Sequence, residues 1–130
     1  MSSYFTVVKT FTKEERLTSK KIITKLFEKG KQIKSFPIKL LFLETDLPVK
    51  APVQIVISVP KKNFPKATDR NLLKRKIREA YRLNKEILFR FLEKENKQLA
   101  LMLVFSGKKH TDFPEIEKKI ILTLQELIKK

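Results

Sequence analysis

The chain has 130 residues, enough for one hydrophobic core, and 42% of them are hydrophobic, which excludes disorder as the default reading. Two glycines, Gly30 and Gly107, and no cysteine exclude glycine-rich nucleotide loops, disulfides, thiol catalysis and cysteine-based zinc sites. Thirty Lys and Arg against fourteen Asp and Glu leave a formal charge of +16, a self-repelling surface whose natural partner is a polyanion, with nucleic acid ahead of an anionic membrane or an acidic protein.

Taken in order, residues 1–15 read as an irregular arm without the basic start and long apolar core of a signal peptide. Thr18 and Ser19 offer an N-cap, and Ile22, Ile23, Leu26 and Phe27 then fall on one helical stripe. Gly30 stands where a helix C-terminus favours a residue free to take positive φ. Phe36–Glu44 (FPIKLLFLE) predicts a strand with two largely apolar faces, and Asp46–Pro52 a proline-marked turn. Val53–Val59 (VQIVISV) alternates: Val53, Ile55, Ile57 and Val59 point to a core. Gln54, Val56 and Ser58 form a mixed face that is expected to be only partly covered.

Pro60–Asp69 (PKKNFPKATD) predicts a basic loop ending at Thr68 or Asp69 as a helix cap, followed by one long helix from Arg70 to Lys94. Leu99–Phe105 (LALMLVF) reads as a buried strand, far short of the roughly 20 apolar residues that span a bilayer. A loop through Pro114 and a final amphipathic helix close the chain. The order helix–strand–strand–helix–strand–helix predicts an α+β fold, a small central β-sheet packed with helices in a single soluble domain over residues 1–130. The absence of cysteine favours a reducing, cytoplasmic setting.

The long helix carries the chemistry. At about 100° per residue, Arg70, Lys74, Arg78, Asn71, Arg82 and Arg75 share an arc of roughly 140°, while Leu73, Ile77, Ala80 and Tyr81 gather on another that must face the core. A solvated helix face usually alternates charge sign to gain i,i+4 support. This arc holds no acid, and its arginines have the planar fork that suits phosphate oxygens. Asn71 among the cations is suited to a base edge, a ribose hydroxyl or a metal-bound water.

The segment RNLLKRKIREAYR resembles the signature helix of the bacterial ribonuclease P protein component family, written around Arg-Asn-Arg, Lys-Arg and Arg-Glu. FTKEERLTSKKIITKLFEKGK is similar to that family's opening helix, and ISVPKKNFPKATDRN to its serine-bearing strand and double-lysine loop. Three departures stand out. Leu72 replaces the third signature arginine, and Ile23 replaces an aromatic one turn before Phe27. The loop is one residue longer, with Phe64 as a candidate substitute aromatic.

The resemblance implies a fold with a left-handed β-α-β crossover and a role in an endoribonuclease whose RNA subunit carries the catalytic site and its magnesium ions. It implies that Arg70, Asn71, Lys74, Arg75 and Arg78 meet the catalytic RNA, with Arg82 on the same arc. Phe27, Ser58, Lys61, Lys62 and Ala67 match a cleft for the single-stranded 5′ leader of precursor tRNA. No cofactor or metal bound by the protein alone is expected. His110 stands alone in a polar loop, and Asp46, Asp69 and Asp112 are isolated, so no nuclease centre is expected in the chain.

A ribosomal-type structural RNA-binding protein is the rival reading, sharing the charge and fold class without needing the mixed sheet face. A DNA-binding regulator would need a recognition helix set off by a tight helical turn, but strand and proline-bearing loop precede Arg70. Neither DNA nor a membrane is an expected partner.

Overall fold

A computed structural model describes residues 11–129. Its elements are α1 (Lys20–Lys29), β1 (Lys31–Ser35), β2 (Ile38–Glu44), β3 (Val53–Ser58), α2 (Ala67–Asn84), α3 (Glu86–Glu95), β4 (Leu99–Phe105) and α4 (Phe113–Leu127). The sheet order is β1-β2-β4-β3, antiparallel except for the β3–β4 pair. The α+β expectation holds, with α2 and α3 forming the crossover between the parallel strands.

Strand alternation divides the apolar residues between two layers. Leu40, Phe42, Val53, Ile55, Leu101, Leu103 and Phe105 point to one side and pack with Leu73, Ile77, Tyr81, Ile116, Ile120 and Leu124 from α2 and α4. On the other side, Leu41, Ala100 and Met102 form a smaller cluster with Leu17 and with Leu26 of α1. The helical stripe of α2 is read correctly from the sequence: Leu73, Ile77, Ala80 and Tyr81 are fully buried.

Four local expectations change. Residues 1–10 of the predicted arm lie outside the described residues, and the rest of it, residues 11–15, is not irregular. Lys13–Glu15 is a 3-10 turn in which Thr12 N and Oγ1 each donate to Glu15 Oε2 at 3.1 Å. The following residues dock on the edge of β3, where Leu17 N donates to Ile55 O at 2.9 Å and Gln54 Nε2 donates to Glu14 O at 3.0 Å. Gln54 on the mixed strand face is therefore buried by the chain's own start.

α1 begins as expected, with Ser19 Oγ accepting from Ile22 N at 3.3 Å. Its end differs. Gly30 is extended, at φ −68° and ψ 148°, not left-handed. The glycine is needed for space, because a Cβ there would lie 2.3 Å from Leu26 O.

β1 was not legible as a strand, having Ile33 as its one buried residue in KQIKS. It forms by pairing with β2 across the turn at Phe36–Pro37, whose peptide bond is cis. Finally, the predicted long helix is two. α2 starts at Ala67 with Lys66 as its N-cap residue, and Lys85 separates it from α3. Asp69 thus lies inside the first turn and is not the cap. At the break, Lys85 turns inward to meet Glu15, Nζ to Oε1 at 2.6 Å, with both side chains only 2% exposed.

Candidate nucleic-acid interface

Burying the apolar stripe of α2 fixes its opposite face toward solvent. Asn71, Arg75 and Arg78 are exposed and Lys74 is half-buried. Among the described residues, Lys74, Arg75 and Arg78 form no ion pair. The other two cations of the predicted arc are engaged. Arg70 Nη1 donates to Phe64 O at 2.9 Å and Pro65 O at 2.8 Å, bracing the loop ahead of the helix. Arg82 grips Glu79 with two bonds, Nε to Oε1 at 2.9 Å and Nη2 to Oε2 at 2.7 Å.

The arc is therefore not free of acid, because Glu79 is close enough at its margin for the long Arg82 side chain to reach back one turn. That hydrogen bond holds the Glu79 carboxyl below its ordinary pKa and raises the Arg82 guanidinium. Leu72, where the signature arginine would stand, is 42% exposed and makes no demand on the core.

The second group of predicted residues is built from the sheet. Ser58 lies at the end of β3, and its register partner is Val104. Val104 pairs with Lys39, and Lys39 with Lys34. Paired residues project to the same side, so Lys34, Lys39, Val104 and Ser58 form one row across all four strands. α1 packs on this side through Leu26, leaving Phe27 65% exposed. The solvent-facing ring is what a stacking role requires, whereas an ordinary core aromatic would be covered.

The loop after β3 places the double lysine. Asn63 N and Phe64 N both donate to Pro60 O at 3.2 Å, closing a turn that leaves Lys61 and Lys62 exposed. Phe64 anchors it from below. Its ring is buried, edge-on to Phe105 at 5.8 Å and to His110 at 5.2 Å. Phe64 is thus part of the core and does not replace the missing aromatic at Ile23. Asp69 meets His110 Nε2 at 3.2 Å, tying the loop after β4 to α2. Ala67 is exposed at the start of α2.

The structure brings Ser58 and Phe27 to one side of the sheet and sets Lys61, Lys62 and Ala67 just beyond the end of β3. Loop 60–66, braced by Arg70, links this surface to the cations of α2. Lys34 and Lys39 were missed from sequence. A hairpin reading of residues 31–44 around Phe36–Pro37 would have found them, since it places the two lysines opposite each other.

Among the described residues no group of three or more His, Cys, Asp or Glu is placed to hold a metal ion. No helix among them is long and apolar enough to cross a membrane.

The family profile for Ribonuclease P matches residues 11–128. The chain belongs to the ribonuclease P protein family. Among relatives, the ribonuclease P protein component of Chlorobium phaeobacteroides is 35% identical over 119 residues, covering 85% of this chain and 80% of the relative. That of Porphyromonas gingivalis is 31% identical over 107 residues, covering 82% and 78%. The ribonuclease P protein of Thermotoga maritima superposes with a TM-score of 0.68 at 26% identity, covering 86% of this chain and 96% of that one. Membership in the ribonuclease P protein family makes the chain a subunit of a tRNA-processing endoribonuclease with an RNA partner.

Proposed function

We propose that the chain works through two RNA surfaces within a single domain. The α2 face, with Asn71, Lys74, Arg75 and Arg78, neutralises phosphates of the catalytic RNA. Arg70 contributes mainly by holding the loop, and Arg82 contributes less because Glu79 already pairs with it. The sheet side, with Phe27, Ser58, Lys61, Lys62 and Ala67, holds the 5′ leader of precursor tRNA and so favours precursor over mature product. Hydrolysis and its magnesium ions belong to the RNA subunit, and the assembly works in the cytoplasm.

The observation that carries this reading is the pairing of Lys74, Arg75 and Arg78 on α2, which form no ion pair among the described residues, with an exposed aromatic over a partly open sheet, joined through loop 60–66. A purely structural RNA-binding protein has no need of the second surface. Reconstitution with the cognate RNA tests it. The protein should stimulate precursor cleavage at low magnesium. Arg75→Ala with Arg78→Ala should weaken binding of the catalytic RNA, each lost charge-assisted contact costing about 1.5–3 kcal/mol. Lys61→Ala with Lys62→Ala should instead narrow the affinity gap between leader-bearing and mature tRNA. Identical behaviour of the two pairs would refute the two-surface reading.

A further inference from the structure

Phe36 is the most exposed large apolar side chain among the described residues, at 71%. It is not a loose side chain on a loose turn. Pro37, next to it, is buried, and its carbonyl accepts from Ser106 N at 2.7 Å and Ser106 Oγ at 3.2 Å. The neighbouring loop packs closely there because residue 107 has no side chain: a Cβ on Gly107 would come within 3.1 Å of Pro37 Cβ. The turn is thus held from behind while its aromatic ring faces solvent.

Lysines flank the turn, while Glu126 of α4 lines a pocket with Lys34 and Ser35 on one side of it. Lys34 and Lys39 are register partners just inside the turn, and exposed Lys108 and Lys109 follow Gly107 in the loop that grips Pro37. Neither residues 31–43 nor residues 104–111 contain an Asp or Glu. Lysines alone would be explained as protection of the edge strand β1 against pairing with another chain. Protection does not explain a fixed, exposed phenylalanine among them. An aromatic face flanked by lysines is the combination that binds unpaired nucleotides, the ring taking a base and the lysines its flanking phosphates.

The position also has a direction. The row Ser58–Val104–Lys39–Lys34 runs from the loop beside α2 to the hairpin that Phe36 closes. It crosses three interstrand gaps, about 14 Å at roughly 4.8 Å each. A strand entering near Lys61 and Lys62 and following this row arrives at Phe36.

We propose that Phe36 is a second stacking platform for single-stranded RNA, taking a base of the 5′ leader farther from the cleavage site than those held near Ser58. The inference rests on the reading of the sheet side as the leader surface. Its test uses the reconstituted holoenzyme with precursor tRNAs whose leaders are shortened stepwise. Phe36→Ala and Phe36→Leu should each weaken binding of a long-leader precursor by about fivefold or more, while Phe36→Tyr stays within about twofold. The effect should vanish once the leader is too short to reach the turn, and mature tRNA should bind all variants alike.

Equal weakening at every leader length, or leucine serving as well as phenylalanine, overturns the platform. So does a change in sedimentation of the free protein without any leader-length dependence, which would make Phe36 a self-association contact. The Lys61→Ala, Lys62→Ala protein measured in parallel separates the two levels. If it loses leader preference and Phe36→Ala does not, only the platform fails. If neither variant senses the leader, the leader surface itself is wrong and the platform falls with it.

Discussion

Among the described residues, Glu79 is the one acid that pairs with a cation of the α2 face, and its contact with Arg82 sets what that arginine can do. The pair is exposed, so its worth to stability is small. Its effect on charge is direct. With the carboxyl held below its ordinary pKa, the pair stays ionised through neutral pH, and whatever stability it adds is present above that ordinary value and lost as pH falls through the lowered one. Glu79→Gln removes the carboxylate that competes with phosphate for Arg82. Affinity for the catalytic RNA should rise, and the slope of log affinity against log salt should steepen by up to about 0.7–0.9, one phosphate's share. Leu72→Arg is the companion change. Its site is exposed, so the fold should tolerate it, with a thermal midpoint within a degree or two by the usual small effect of surface substitutions. Competition binding should show tighter RNA association, and no gain would mean that residue 72 faces away from the RNA.

At the scale of elements, two junctions decide whether the surfaces hold their places. Where α1 meets β1, Gly30 leaves room for Leu26 O, so Gly30→Ala must displace backbone and should cost about 1–3 kcal/mol by denaturant unfolding. Where α2 meets α3, Lys85 is buried against Glu15 and over the Phe89 ring, with Nζ 5.3 Å from the ring centroid. This contact joins segments 70 residues apart and ties the start of the chain to the helix that carries the cations. Lys85→Met alone strands a buried carboxylate and should destabilise by about 3–5 kcal/mol, whereas Lys85→Met with Glu15→Leu should recover much of that loss. Additive losses in the double variant would deny the coupling. These junctions also mark the limit of legibility. The faces of α2 and the alternation of β3 follow from local periodicity, which the sequence states outright. β1, the space requirement at Gly30 and the helix break at Lys85 depend on partners distant in sequence. The row from Ser58 to Lys34 was hidden for the same reason, since it exists only once four strands are in register.

For the whole molecule, the formal charge of +16 makes two opposite predictions about salt. Without RNA, like charges repel across a small surface, and the repulsion opposes the compact state. Screening by added salt shortens its reach from about 10 Å at 0.1 M to about 3 Å at 1 M. The free protein should therefore melt at a higher temperature as sodium chloride is raised. With RNA the sign reverses, because each phosphate contact releases counterions whose return is favoured by salt. If Lys74, Arg75 and Arg78 each meet one phosphate of the catalytic RNA, the log–log slope for binding that RNA should be about −2.1 to −2.7. Thermal melts of the free protein and equilibrium binding across one salt series measure both signs on the same material. A melting temperature that falls with salt would remove self-repulsion as a property of the fold, and a nearly flat binding curve would remove the phosphate contacts. Opposite signs together would mean that RNA supplies the counter-charge the folded chain lacks, so assembly should raise the protein's own resistance to unfolding most at low salt.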